Sequence, residues 1–420
     1  MSKKPLEGLR VGDFSWFGAG PIAGNTLAQF GAEVIRVESE AKPDGLRRAH
    51  PFAMNPDGSF KGGFNVSGYY NNFNAGKLSL QLNLNEEKGQ EIGYRLIEKC
   101  DFFLTNFTPR VIDKWNLRYE QIAKVNPKII FCGAYGYSKK GPYGALGALD
   151  DSIQAVSGIA MLNKMVLGEP RYLPTVVADK TTAITVVYGV LAALFNRERT
   201  GEGQELEVPM FETMVNFVMA EHLWGMTFEP PKGAPGYTRL MSHHRKPYKT
   251  LDGYIAILPY LDAHWEKFCK LTGRTELIDD PRFRTLADRV RNIDDTYSIT
   301  GEIMATRKTK EWLQLFDKSG VPTIVVNSLE DLAVDPHLQA TGFWQSYEHP
   351  TEGTLRMPSF PVNFGSTPAS IRRHAPRLGE HTEEVLREAG LSAEQVAALT
   401  ASGAAMTAEQ ASSTVAEGGD

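Results

Sequence analysis

The sequence predicts an α/β protein that begins with a doubly wound sheet domain and continues into a second, smaller domain. Three observations carry this reading. Near the start, an apolar run, a glycine-rich turn, a helix-periodic stretch and a second apolar run follow in β–turn–α–β order, which favours a parallel sheet. The same alternation resumes after a long polar stretch. Composition then shifts at residues 229–236 (EPPKGAPG), a Pro/Gly-rich hinge into another domain.

In order along the chain, residues 9–15 (LRVGDFS) read as a strand. Gly18, Gly20 and Gly24 then turn the chain into a helix with apolar spacing through Leu27 and Phe30, and residues 33–38 (EVIRVE) form a second strand. The segment 42–72 is rich in Pro, Gly and Asn and reads as a long loop; loops of that length are usually functional or mobile. Strands at 78–84, 101–105 and 128–133 alternate with helices at 86–99, 109–117 and 119–125, the first of which puts Ile92, Leu96 and Ile97 on one face. Residues 174–179 (PTVVAD) are extended and lead into a helix from Lys180 to about Arg197. A strand at 204–208 (QELEV) and a helix after Pro209 follow. Beyond the hinge, residues 245–258 read as a strand hairpin and helices continue to about Lys318. Residues 321–326 (VPTIVV) read as a return strand. From about Ala398 the chain is rich in Ala, Ser, Thr, Glu and Gly and poor in large apolar residues, so a disordered tail is expected there.

With 420 residues, 42% hydrophobic and 23% charged, the chain can bury a large core without disulfides or a structural metal. Its net charge of −5 supplies no general basic field for nucleic acid. Cys100, Cys132 and Cys269 are far apart and form no C-x-x-C pair, which fits a reduced compartment. The start (MSKKPLEG) lacks the apolar stretch of a signal peptide, and the apolar run from Ile184 to Phe195 is shorter than the roughly 20 residues of a membrane span. The expectation is a soluble cytoplasmic protein with neither membrane nor nucleic acid as partner.

Two features carry chemistry. Gly18, Gly20 and Gly24, with Glu38 ending the next strand, resemble a dinucleotide fingerprint, but the spacing is G-x-G-x-x-x-G. They serve NAD binding, a plain tight turn, or another phosphate-bearing cofactor at a helix N-terminus. Asp179 lies where an extended segment meets a helix. It serves as an N-cap, or as a carboxylate kept ionised by the helix terminus and able to attack, and the two roles can coexist.

A series of short motifs in a shared order then carries a family resemblance. They are residues 6–13 (LEGLRVGD), 19–21 (AGP), 30–38 (FGAEVIRVE), 74–80 (NAGKLSL) and 106–109 (NFTP). Further on come 136–143 (GYSKKGPY), 177–179 (VAD), 200–204 (TGEGQ), 280–283 (DPRF), 320–322 (GVP) and 378–382 (LGEHT). The chain resembles the class III coenzyme A transferases, the formyl-CoA transferase, carnitine-CoA transferase and BaiF-like family. The resemblance implies a Rossmann-like doubly wound large domain built from both ends of the chain, an inserted smaller α+β domain and an interlocked homodimer. On that reading the large domain spans 1–228 and 321–397, the small domain 229–320, and the disordered tail 398–420.

The resemblance also implies the chemistry. Asp179 falls on the family's catalytic aspartate, which attacks an acyl-CoA thioester to give an aspartyl–acyl anhydride and then an aspartyl-CoA thioester, from which a carboxylic acid acceptor takes the CoA. Acyl-CoA is substrate, no cofactor is bound permanently, and no metal is needed. Gly18 and Ala19 match the turn that approaches CoA; many relatives carry glutamine at the position of Gly18. Ser39 replaces a basic residue of some relatives, with Lys42, Arg47 and Arg48 as candidates to supply its charge. Lys77, Asn106 and Phe107 match the family pattern, Arg110 stands slightly displaced, and Tyr135 occupies a position of lysine, with Lys139 nearby. Family racemases carry a His-Asp pair where this chain has Leu149 and Asp150, and leucine cannot take an α-proton. Transfer is therefore favoured over racemase or isomerase chemistry; a non-catalytic acyl-CoA or nucleotide-binding protein is the alternative from another class. The family's glycine-rich flap is replaced by residues 233–246. There Arg239, His243, His244 or Arg245 is expected to hold the distal carboxylate of a dicarboxylic acid such as succinate, arginine by a bidentate fork.

Overall fold

The computed structural model describes residues 4–39, 42–52, 54–55, 57–59, 65 and 67–411. The chain folds into two compact units. The larger comprises Met1–Ser157, Leu173–Phe217 and Ala340–Asp420, the smaller Gly158–Tyr172 and Val218–Gln339.

The larger unit is built on six parallel strands: β1 (Arg10–Phe14), β2 (Glu33–Glu38), β3 (Leu78–Leu82), β4 (Phe102–Thr105), β5 (Ile130–Gly133) and β6 (Gln204–Glu207). Their spatial order is β3-β2-β1-β4-β5-β6, with all adjacent pairs parallel. The helices between them are α1 (Ala19–Gln29), α2 (Gly68–Asn74), α3 (Glu87–Ile97), α4 (Pro109–Lys114), α5 (Tyr119–Val125), α6 (Asp150–Val156), α7 (Ile159–Leu167, in the smaller unit) and α8 (Val177–Thr200). Strands such as β4 (FFLT) and β5 (IFCG) are apolar on both faces because helices cover both. Successive side chains of β4 go to opposite cores: Phe103 packs with Ile92 and Leu96 of α3 and Ile122 of α5, Phe102 and Leu104 with Leu27 of α1 and Val186 of α8. The doubly wound prediction therefore corresponds to the observed sheet. By length and a mean hydropathy of 1.4, α8 could cross a membrane; one side of it forms core with α1.

Four expectations are corrected. The chain from Ala398 to Ala411 is ordered: the helix Ala393–Ser402 packs Val396 into the core, and the strand Ala405–Met406 adds antiparallel to β3. Small alanines suffice there, since Ala405 and Ala411 are fully buried; residues 412–420 of that expectation lie outside the described residues. The smaller unit begins near 218 rather than 229, ends near 339 rather than 320, and also takes residues 158–172. Its sheet shows why: β7 (Tyr248–Lys249), β8 (Tyr254–Ile257) and β9 (Thr323–Val325) pair antiparallel, so the strand at 321–326 belongs to this sheet. The loop 42–72 is shorter than expected among its described residues, with a 3₁₀ turn at Gly45–Arg48 and the start of α2 at Gly68; residues 53, 56, 60–64 and 66 lie outside the described residues. Finally, α8 starts at Val177 rather than Lys180, which puts Asp179 inside its first turn.

The helix α9 (Met210–His222) leads into the smaller unit. There α10 (Asp262–Thr272), α11 (Leu286–Arg291), α12 (Ile293–Met304) and α13 (Thr309–Phe316) follow, and α10, α12 and α13 pack Trp265, Phe268, Ile303, Trp312 and Phe316 with Ile255 and Ile257 of β8.

Candidate functional site

The strand order reverses between β1 and β4, and open α/β sheets bind ligands beyond the carboxyl ends of strands at such a switch point. Here the two strand ends are clamped by one side chain. Asn106 accepts the Trp16 N–H at Oδ1 (2.8 Å) and donates from Nδ2 to the Trp16 carbonyl (2.6 Å). Next to this clamp opens a cleft of about 500 Å³, lined by Trp16, Ser39, Lys42, Phe107, Arg110, Lys114 and Trp115 among others. Lys42 Nζ lies 4.6 Å from the Trp16 ring centroid, a cation–π distance. Arg110 is exposed at the start of α4, just after Pro109 at the first helical position. Lys42, Phe107 and Arg110 of the expected CoA-binding set thus come together in one cleft, with Asn106 holding its wall. Trp16, Lys114 and Trp115 join them without having been singled out; the turn of α4 that follows Arg110 was the available signal.

Lys77 and Arg47 are corrected: they lie inside the protein, with neither side chain exposed. Lys77 Nζ bonds Asp13 (2.8 Å), the Pro21 carbonyl (2.9 Å) and Asn74 (3.0 Å). Burial pulls its pKa down to about 8 against the attraction of Asp13. Arg47 grips Glu38 with two nitrogens (2.9 and 2.6 Å), and its guanidinium lies over the Tyr70 ring. Arg36 joins this network through Asp13, Asp44 and the Ser15 carbonyl. Buried charges require such partners, and the network ties the carboxyl ends of β1 and β2 to Lys77, just before β3, and to the segment after β2. Glu38 is engaged there too, its carboxylate accepting from Arg47 and from the Asp44 N–H.

The glycines have equally local reasons. A Cβ on Gly18 would fall 2.1 Å from Asp179 Oδ2, one on Gly20 2.4 Å from Ser15 Cβ, and one on Gly24 2.9 Å from Asp13 Oδ2. The turn is glycine-rich because the protein's own side chains crowd it, and the first of them is the carboxylate of Asp179.

Asp179, half-buried in the first turn of α8, accepts the backbone N–H of Ala19 at Oδ1 (3.2 Å). Its own N–H donates to Asp150 Oδ2 (3.0 Å), and Asp150, 7% exposed, also accepts from Gln154 (2.6 Å). Asp150, rather than Asp179, thus caps the first turn of α8. Burial, and then the Asp150 carboxylate, raise the pKa of Asp179 to about 6, against the lowering effect of the Ala19 N–H. The helix terminus alone was expected to keep Asp179 ionised; desolvation and a like charge win instead. At pH 7 about nine in ten molecules still carry the anion. That anion is poorly solvated and unusually basic, the condition of a strong carboxylate nucleophile. Tyr69 in α2 shares this field: burial, then Asp179 and Asp150, raise its phenol pKa. Neither Asp150 nor Tyr69 was singled out as a site residue. Asp150 had the motif position of the racemase pair as its signal; Tyr69 had none.

Tyr135 is buried, its ring folded back under Gly133. Lys139 pairs with Glu205 (2.5 Å) at 5.7 Å from the Tyr135 ring. Neither lines the cleft at the switch point. In the smaller unit, His243, His244 and Arg245 are exposed, and His243 Nδ1 lies 2.7 Å from the Val166 carbonyl. Arg239 places Nε on the Tyr297 hydroxyl (3.0 Å). No group of three or more His, Cys, Asp or Glu side chains among the described residues could hold a metal ion.

The chain is similar over most of its length to known proteins. The family model described as CoA-transferase family III matches residues 6–382. Succinyl-CoA:glutarate CoA-transferase of Mus musculus is 30% identical over 390 residues, covering 92% of this chain and 87% of that protein. Formyl-CoA:oxalate CoA-transferase of Escherichia coli O6:H1 is 28% identical, covering 94% of this chain and 98% of the relative. The crystal structure of a CAIB/BAIF family protein from Brucella suis has a TM-score of 0.76 at 28% identity, covering 93% of this chain and all of that one.

Proposed function

Because this chain belongs to CoA-transferase family III and is a CoA-transferase, we propose that it moves coenzyme A between small carboxylic acids, at least one of them dicarboxylic, with Asp179 as covalent nucleophile. The observation that carries this is the Asp179 carboxylate held against the Ala19 N–H and beside the buried Asp150. The acids in the names of the relatives, succinate with glutarate and formate with oxalate, support the dicarboxylate.

Each step makes and breaks one bond. An Asp179 oxygen attacks the thioester carbonyl carbon, the C–S bond breaks, and CoA leaves as thiolate from a mixed anhydride. The thiolate then attacks the carbonyl of Asp179 itself, which frees the donor acid and leaves an aspartyl-CoA thioester. The acceptor carboxylate attacks that thioester and again releases thiolate, which attacks the acceptor acyl carbon. Acceptor acyl-CoA departs and Asp179 regains its carboxylate. The Ala19 N–H, aimed at Asp179, is the backbone donor in place for charge developing on its oxygens. The cleft at the switch point is the CoA site, with Lys42, Arg110 and Lys114 as cations for the phosphates and Trp16, Phe107 and Trp115 as apolar walls. Gly18 and Asn106 act by making room for Asp179 and by clamping the strand ends.

The working molecule is a cytoplasmic homodimer, interlocked as the family resemblance implies. Ile184, Tyr188 and Phe195, each at least 60% exposed along α8, support an apolar face covered by a second copy. Three free buried thiols support a reduced compartment.

The test is mass spectrometry of the protein mixed with succinyl-CoA and quenched with hydroxylamine. The Asp179 peptide gains the hydroxamate, and the Asp179→Ala protein gains nothing and transfers nothing. Undiminished transfer by Asp179→Ala refutes the mechanism.

A further inference from the structure

We infer that the smaller unit carries its own binding site for the carboxylate group of a small organic acid, anchored by Arg239. A cavity of about 40 Å³ opens between β8 and helices α11 and α12, with Arg239, Tyr248, Tyr260, Arg289, Tyr297 and Thr300 among its lining. The two arginines in it are in opposite situations. Arg289, 3% exposed, has its charge answered: it bonds the carboxylate of Asp262 (2.7 Å) and the carbonyls of Phe283 (2.8 Å) and Tyr260 (3.0 Å). Arg239 meets only neutral groups: the hydroxyl of Tyr297 (3.0 Å), the hydroxyl of Tyr237, and the ring of Tyr260 at 4.9 Å. No aspartate or glutamate among the described residues pairs with it.

A half-buried guanidinium without a counter-charge is costly, and phenols and a ring satisfy only part of its five N–H donors. The fork geometry that remains suits a carboxylate. Size and wall select among anions. One water needs about 10–15 Å³ of such space, so about 40 Å³ holds a carboxylate head, with the rest of the acid toward the open mouth. Ile257, Leu258, Leu286 and Ile293 line the rest, which favours an aliphatic body over a strongly hydrated ion.

The acid is either the acceptor of the transfer reaction or an effector. The first identity rests on the proposed function; the site itself does not. The test titrates glutarate into the full chain and into Arg239→Gln and Arg239→Lys proteins by calorimetry without acyl-CoA, with dimethyl glutarate and inorganic phosphate as controls. Glutarate affinity should fall at least about tenfold in Arg239→Gln and less in Arg239→Lys, which keeps the charge but loses the fork. Neither control should bind at this site. Steady-state transfer then separates the sources. A raised KM for glutarate at unchanged kcat marks the acceptor site; lost binding at unchanged KM marks an effector site. If Arg239→Gln fails to fold, the Arg239→Lys titration decides alone. Wild-type glutarate affinity in every folded variant, or equal affinity for dimethyl glutarate, overturns the proposal even if Asp179 chemistry is intact.

Discussion

Replacing Asp150 with asparagine should move the acid limb of activity to lower pH. The pKa of Asp179 stands at about 6, well above its ordinary value, through burial first and the Asp150 charge second. The asparagine keeps an oxygen for the Asp179 N–H, which Asp150 accepts at 3.0 Å, and removes the charge, together with the bond that Gln154 donates to the other carboxylate oxygen (2.6 Å). Burial remains, so the pKa should settle between about 4 and 6. The sign follows directly: a lower pKa means more anion in acid. With a pKa of about 6, about one Asp179 in ten is ionised at pH 5; a pKa of about 5 makes it about half, a gain of about fivefold. Above about pH 8 both proteins are fully ionised and the gain vanishes, while the less basic carboxylate attacks somewhat more slowly. The assay is kcat/KM for the acyl-CoA donor between about pH 4.5 and 8, which reports the free-enzyme pKa. An acid limb that stays in place or moves upward, in an Asp150→Asn protein that melts like its parent, refutes the electrostatic account.

Two further outcomes follow from the same few ångströms. Gly18→Ala puts a methyl 2.1 Å from Asp179 Oδ2, so the carboxylate must move by more than about 1 Å to reach ordinary contact. A displacement of that size costs on the order of 100-fold in kcat; circular dichroism and melting temperature should hold, and full activity would show that the close approach is dispensable. Asp179→Asn should stabilise the protein at neutral pH. A raised folded-state pKa means that the native state favours the protonated acid: this stability is complete below about pH 4 and is lost as pH rises through about 6, by at most about 3 kcal/mol and less for a half-exposed group. The variant should melt higher than its parent at pH 8 and level with it at pH 4; a lower melting temperature at pH 8 contradicts the sign.

The sheet was legible because apolar runs alternated with helix-periodic stretches, and the place of Asp179 at a helix start because an extended segment runs into a helix there. What stayed illegible is what only burial or pairing decides. Lys77 and Arg47 show their charge in the sequence but not that Asp13 and Glu38 consume it. Residues 321–326 show a strand but not which sheet receives it; β8 does. The stretch 398–411 holds few large apolar residues, Leu399 and Met406, yet Ala405 needs only a methyl to sit beside Leu82 at the sheet edge. Asp150 becomes a neighbour of Asp179 across 29 residues of chain that fold between them.

The glycine turn shows how one physical device can serve two chemistries. A β–α turn with its helix N-terminus attracts an anion, and the dinucleotide reading put a pyrophosphate there. Here the anion belongs to the protein: Asp179 reaches the Ala19 N–H across the space left by Gly18. This choice also stores a driving force. Asp179 is held as an anion beside Asp150 and partly shielded from water, a state that costs free energy while the charge lasts. On the proposed mechanism, acylation of the carboxylate would remove the charge, and with it the repulsion from Asp150. The destabilisation would then fall on the ground state of the free nucleophile and be relieved as the covalent bond forms, which would lower the barrier to attack. Deacylation would have to restore the repulsion, so a pKa raised much further would trap the acylated form; the Ala19 N–H opposes that by favouring the anion.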